Sequence, residues 1–154
     1  MKLVLAVVGK PRDAALAEAI RGYEQRAARY WPLEVHEVRG EPAKSVSADL
    51  VREREGERLA KVLPASAHVI ACDPGGLSKT SEEFSAWLQG ERERSRDVAF
   101  VIGGAFGLAD TLRTRARTRL SLAPWTLPHE LARLMLAEQL YRAGTIVRRE
   151  PYHK

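Results

Sequence analysis

The chain has 154 residues, 45% hydrophobic and 29% charged, the size and make-up of one globular domain with a real core. Its longest apolar run, Leu3 to Val8, is too short to span a membrane, and a lone cysteine, Cys72, excludes an internal disulfide and a cysteine zinc cluster. The net charge of +5 favours nucleic acid or another polyanion as partner, but the 20 acidic residues leave room for an arginine-rich solvated surface.

The β-branched run Lys2 to Val8 reads as a first strand. It follows a single lysine, lacks a small-residue cleavage site and stops at Gly9-Lys10-Pro11-Arg12, so it does not read as a signal peptide, and the expected address is cytoplasmic. Asp13 to Tyr30 carries Leu16, Ala19, Ile20, Tyr23 and Ala27 at helical spacing, and Pro32 ends that helix. Leu33 to Val38 is a short strand, and Gly40 to Ser47 a polar loop. The charged segment Ala48 to Leu63 is expected to be an exposed helix ending before Pro64. Ala67 to Cys72 is a buried type of strand that Asp73-Pro74-Gly75-Gly76 is expected to break.

Thr80 and Glu83 have the spacing of a capping box, opening a helix with Phe84, Trp87 and Leu88 on its apolar side. Asp97 to Ile102 is the next strand, Leu108 to about Ala116 a short helix, and Arg119 to Leu122 a short strand. Pro128, tolerated in a first turn, opens a long final helix to about Ile146. Strands alternating with helices imply an α/β fold with a mostly parallel sheet flanked by helices, in a single domain spanning residues 1–154. Ligands of such sheets sit beyond the carboxyl ends of the strands. Three strand ends open into Gly-rich or Pro-rich loops, after Cys72, after Ile102 and after Leu122. If those strands are neighbours, the loops meet at one crevice.

The second of these loops, Gly103-Gly104-Ala105-Phe106-Gly107, follows the apolar strand Val98 to Ile102. It is not the dinucleotide pattern GxGxxG, nor a P-loop, since no Gly-Lys-Ser/Thr follows; NAD and ATP are therefore poorly supported. What remains is bare backbone able to approach a small ligand, or simply a tight strand-to-helix turn. A side chain at Gly104, such as Asp, is expected to fill the ligand's approach. The third loop, Leu122 to Leu127, is apolar and contains Pro124. Its backbone could read the edge of an adenine while apolar side chains pack on the ring, or it could be an ordinary buried connector.

Taken together, the ordered motifs are specific. They are Val101-Ile102-Gly103-Gly104 with Gly107-Leu108, Leu122 with Thr126-Leu127-Pro128-His129, Ala137-Glu138-Gln139-Leu140-Tyr141-Arg142-Ala143, and the terminal Pro151-Tyr152-His153. Met1-Lys2-Leu3, Val7-Val8-Gly9 and Glu55-Gly56-Glu57 fit the same pattern, and the likeness covers the whole chain. The sequence resembles the small bacterial SPOUT-class 23S rRNA (pseudouridine-N3)-methyltransferase family.

That resemblance implies a SPOUT-type domain whose C-terminal part, about residues 67–154, forms a deep trefoil knot and holds the cofactor. It implies S-adenosylmethionine as cofactor with no metal, and a homodimer that builds its site across two subunits. The implied substrate is a pseudouridine in the helix 69 loop of 23S rRNA, methylated at N3 within the assembled 70S ribosome. Carried over by position, the cofactor loops are Cys72 with Asp73, Gly103 with Gly104, and Leu122, Ala123, Pro124, Trp125, Thr126 and Leu127. The family commonly has Leu where Cys72 stands and Pro where Ala105 stands. A small thiol packs as a hydrophobe, so backbone-mediated binding is expected to survive.

Methylating a ring nitrogen that carries a proton requires removal of that proton, stabilisation of the anion and in-line alignment. The candidates are His129, Arg142, Tyr152 and His153. His129 sits beside the third loop, either as a proton acceptor or satisfied by local backbone. Arg142 lies four residues after Glu138, as a holder of a base carbonyl or phosphate, or as a helix-surface ion pair. Tyr152 and His153 would be dismissed as a frayed tail from sequence alone. The resemblance implies a tail that folds over the site and touches an extruded base.

Arg113, Arg115, Arg117 and Arg119, with Arg148 and Arg149, are candidates for rRNA phosphates or for a solvated rim. A related SPOUT enzyme methylating a tRNA ribose 2′-oxygen is disfavoured by the short chain, the Thr-Leu-Pro-His loop and the Pro-Tyr-His end. A non-catalytic ribosome-binding factor is disfavoured by the intact loops.

Overall fold

The computed structural model describes residues 1–42, 44 and 46–154, so Ala43 and Ser45 of the expected polar loop lie outside the described residues. Five strands and five helices alternate: β1 Leu3–Val8, α1 Ala14–Ala27, β2 Leu33–Val38, α2 Ala48–Val62, β3 His68–Leu77, α3 Ser81–Glu93, β4 Val98–Ile102, α4 Asp110–Arg115, β5 Thr118–Leu120 and α5 His129–Val147. The strands form one all-parallel sheet in the order β2-β1-β4-β3-β5. Thus β4, β3 and β5 are neighbours, and the loops after β4 and β5 leave the same end of the sheet, beside the Cys72–Asp73 stretch of β3.

The central strands show why the sheet has two covered faces. Every residue of β1 and of β4 is buried, the pattern of parallel strands with helices on both sides. Period-2 alternation sends Leu3, Leu5 and Val7 to one face, with Phe84, Leu88, Phe100, Leu136 and Leu140. Val4, Ala6 and Val8 go to the other, with Leu59, Val101 and Leu112. Helices α1, α3 and α5 cover the first face, while α2 and α4 cover the second.

Local signals start the helices where the sequence places them. Asp13 accepts from the Leu16 amide at 2.8 Å to cap α1, and Ser47 accepts from the Leu50 amide at 3.2 Å to cap α2. The capping box of α3 forms in full: the Glu83 amide donates to Thr80 Oγ1 at 3.2 Å, and the Thr80 amide to Glu83 Oε2 at 2.8 Å.

Two expectations are corrected. Asp73-Pro74-Gly75-Gly76 does not break β3, which runs on to Leu77. The Gly75 amide turns back to Asp73 Oδ1 at 2.8 Å. Pairing with β5 then resumes at Leu77 opposite Leu120, and the Ser121 amide donates to the Leu77 carbonyl at 3.0 Å. The turn residues are absorbed as a bulge. Helix α2 is likewise not simply an exposed helix. It buries Val51, Glu55, Gly56 and Leu59 against the sheet and α4, and its many charges occupy the other side.

One partly buried ion network ties α5 to α1 and to the edge strand β2. Arg133, 5% exposed, places Nε 2.8 Å from Glu24 Oε1 on α1 and Nη1 2.8 Å from Glu37 Oε1 on β2. Removing the cation strands two carboxylates with no counter-charge. Arg133→Met is therefore expected to lower the unfolding free energy by about 3–5 kcal/mol. Urea denaturation checks this; a loss below about 1 kcal/mol would show that the network is solvated and weak.

Candidate active site

A cavity of about 310 Å³ opens at the carboxyl ends of β3 and β4 and behind the loop that follows β5. It is the size of small-molecule sites. Of the expected cofactor residues, Cys72, Asp73, Gly103, Gly104, Leu122, Ala123, Trp125, Thr126 and Leu127 all line it, and only Pro124 does not. His129 lines it too, as the first residue of α5. Glycines at 103, 104 and 107 leave one lining loop almost bare of side chains, and the third loop adds mostly apolar ones.

Local bonds shape the two principal loops. After β4, Gly103 and Gly107 touch: a Cβ at Gly103 would lie 2.6 Å from the Gly107 carbonyl, and Gly107 itself has φ +83°. The Gly107 amide donates to the Gly104 carbonyl at 3.0 Å and closes the turn. A Cβ at Gly104 would point away from the cavity, 2.7 Å from Glu55 Oε2. The expectation that a side chain there fills the ligand's approach is thus corrected: it would collide with α2 behind the loop. In the other loop, Ser121 Oγ donates to the Ala123 carbonyl at 2.7 Å. Trp125, 77% exposed, and the half-exposed Phe106 stand on the two rims.

Electrostatics add one pair. Arg113 on α4 puts Nε 2.9 Å from Asp73 Oδ2 at the cavity wall, an ion pair without the alignment of a directed hydrogen bond. Sequence reading placed Arg113 at rRNA phosphates or on a solvated rim, because nothing in spacing shows that α4 returns its side chain to Asp73 on β3. Burial pushes the Cys72 thiol up to about 12, so the reactive thiolate is scarce. Iodoacetamide at pH 8 is expected to label Cys72 only after denaturation, as mass spectrometry would show; rapid labelling of the folded protein would mean a more open cavity.

The His129 ring has no hydrogen bond among the described residues, so satisfaction by local backbone, the alternative raised above, is not what the structure contains. The other three candidates form a separate cluster on α5. Glu138 Oε1 accepts from Arg142 Nε at 2.9 Å, Arg142 Nη2 at 2.6 Å and the Tyr152 hydroxyl at 3.0 Å. The Tyr152 ring packs on Tyr141, with ring centres 4.5 Å apart, and under the Arg142 guanidinium. Burial first, then hydrogen bonds with Tyr23 and Glu138, keep its phenol protonated well above the ordinary range.

His153 sits 3.3 Å from Arg142 Nη1 through Nδ1 and 2.9 Å from Glu82 Oε1 through Nε2. A guanidinium only donates, so Nδ1 accepts and Nε2 carries the proton toward Glu82. Neither Arg142, Tyr152 nor His153 lines the cavity of its own protomer. The tail packs on α5 and α3 because Glu138, Tyr141 and Glu82 satisfy its polar and aromatic groups there. Folding of the tail over the cavity is therefore not met within one chain.

Sequence reasoning also missed Glu55. Its only signal was the Glu55-Gly56-Glu57 run among the motifs of the resemblance.

A parallel sheet with a cavity at its carboxyl end is shared by many enzymes, and comparison with known proteins narrows the class. The family model described as "Predicted SPOUT methyltransferase" matches residues 1–153, and the chain belongs to that family. Among individual relatives, it is 64% identical to "Ribosomal RNA large subunit methyltransferase H" of Gemmatimonas aurantiaca, over 100% of both chains. It is 41% identical to the protein of the same name from Syntrophotalea carbinolica, over 99% of each. A solved structure described as a probable methyltransferase from Bordetella pertussis superposes with a TM-score of 0.56 at 15% identity, over 93% of this chain and 94% of that one, a likeness of fold.

Proposed function

We propose that the protein methylates N3 of a pseudouridine in the helix 69 loop of 23S rRNA, within the assembled ribosome, using S-adenosylmethionine and no metal. The observation that carries this reading is the cavity lined by Gly103–Gly107 and by Leu122, Ala123, Trp125, Thr126 and Leu127, in a chain so similar over its full length to large-subunit rRNA methyltransferases. The residues present fit the cofactor. The volume suits a nucleoside-sized ligand, the apolar third loop suits a flat base, and the Gly103 position is closed to any side chain. When bound, S-adenosylmethionine supplies an activated methyl group.

The chain's own residues then divide the work. Bare backbone from Leu122 to Leu127 holds the cofactor's base, and the Gly103–Gly104 turn and Cys72 with Asp73 hold the rest. His129, on the cavity wall with its ring free, accepts the N3 proton. His153 is less suited, since Arg142 occupies its Nδ1 lone pair. Arg142, pre-aligned by Glu138, offers its remaining donors to a base carbonyl or phosphate. Tyr152 offers an aromatic face.

A homodimer completes the site: the Arg142–Tyr152–His153 cluster of one protomer serves the cavity of its partner. The separation of cavity and cluster within one chain supports this arrangement. The whole chain acts as one SPOUT domain, and about residues 67–154 form the deep trefoil knot. The location is cytoplasmic, in keeping with the absence of any helix among the described residues long and apolar enough to cross a membrane.

The test is a methyl-transfer assay on ribosomes that lack the modification, with the product nucleotide located by mass spectrometry. Methyl on N3 of a helix 69 pseudouridine is the expected result. Methyl on a tRNA ribose, or no transfer despite cofactor binding, would overturn the reading.

A further inference from the structure

The glycine loop rests on an unusual neighbour. Glu55, in the middle of α2, is 5% exposed and has one carboxylate oxygen in use: Oε1 accepts from the Glu41 amide at 3.0 Å. Oε2 is buried and has no hydrogen-bond partner among the described residues. Nor does the helix supply a counter-charge, because Arg52 pairs with Asp49, and Arg54 and Arg58 both pair with Glu41. A buried carboxylate oxygen left unfilled is costly. Such a group in a folded protein calls for an explanation.

Its direction supplies one. Oε2 is aimed at the rear of Gly104, so closely that a Cβ there would lie 2.7 Å away. Other residues of α2 grip the same segment. Arg52 Nη1 reaches the Phe106 carbonyl at 3.4 Å, and Gly56 seats Ala109, whose Cβ would be 2.9 Å from a Cβ at Gly56. Side chains of α2 therefore meet this stretch at Gly104, Phe106 and Ala109, while Gly104 to Leu108 line the cavity.

We propose that Glu55 is a positioning residue for the cofactor loop, with Oε2 as the acceptor onto which a backbone amide of Gly104–Phe106 settles when the cofactor presses the loop from the cavity side. Glu55 acts through the loop and does not touch the cofactor. The inference rests on the cofactor reading given above. It requires Gly at 104, since any side chain would hold the loop off its seat. It also assigns a task to α2, which otherwise contributes nothing to the cavity wall.

The experiment measures binding of S-adenosylhomocysteine, the demethylated cofactor, by calorimetry, together with amide hydrogen exchange of residues 103–107 with and without that ligand. Glu55→Ala is expected to raise Kd about tenfold, the order of one well-placed hydrogen bond to a charged acceptor, and to abolish ligand-induced protection of the loop. Glu55→Gln keeps an acceptor oxygen and is expected to retain most of both. Glu57→Ala, the same loss of charge at an exposed position two residues on, is expected to match the wild type. If Glu55→Ala fails to fold, Glu55→Asp, one methylene short of the seat, is expected to show the same losses.

Wild-type affinity and loop protection in Glu55→Ala, or in Glu55→Asp where that variant is used, would overturn the proposal, as would a Gln variant no better than Ala. Failure of the wild-type protein to bind the ligand at all would overturn the cofactor reading itself, so the two failures are distinguishable.

Discussion

Gly104→Asp is expected to abolish cofactor binding, raising the Kd for S-adenosylhomocysteine by at least about 100-fold. The new carboxylate would start where a Cβ lies 2.7 Å from Glu55 Oε2. Two like charges would then share a buried space that already has no counter-ion, a far worse arrangement than one buried carboxylate alone. The loop can escape only by swinging toward the cavity, which removes the room the ligand needs. Calorimetry measures the effect, and circular dichroism and thermal melting confirm that the sheet persists. Unchanged affinity in a folded variant would show that the loop is no part of the cofactor site.

Deleting Tyr152 to Lys154 is expected to spare the fold and cofactor binding, and to lower methyl transfer at least about 1000-fold, the scale of lost orientation and charge stabilisation at a reacting centre. Binding should survive because no tail residue lines the cavity. Transfer should fail because Arg142 loses the partners that hold its free face, Tyr152 beneath the guanidinium and His153 at Nη1. Calorimetry and the ribosome assay separate these quantities. Full activity would make the tail a bystander; lost cofactor affinity would place it in the cofactor site instead.

Much of this was legible in the chain, for identifiable reasons. Strands β1 and β4 are continuous apolar runs because helices cover both sides. The Thr80–Glu83 box has a fixed spacing, the loop after Ile102 announces itself by its glycines, and that after β5 by Pro124 in an apolar run. Gly75 and Gly76 misled, because a bulge and a strand end use the same residues, and only the pairing partner distinguishes them. The Asp73–Arg113 pair and the Glu55–Gly104 contact were invisible for a different reason. Each joins positions about 40 to 50 residues apart that meet only once the strand order is known. Charge density predicted an exposed α2, but could not tell which of its many charges would turn inward.

Helix α5 carries His129 at its first turn and Glu138 with Arg142 farther along. Thirteen residues separate His129 from Arg142, about 20 Å along a rigid rod. The rod works as a ruler between two stations that, in the proposed dimer, belong to different cavities. Substitutions along it change local packing, but adding or dropping a single residue would turn one station by about 100° relative to the other. Outside Arg133, Glu138 and its buried apolar positions, this stretch should therefore accept variation in spelling, and throughout it should resist any variation in length.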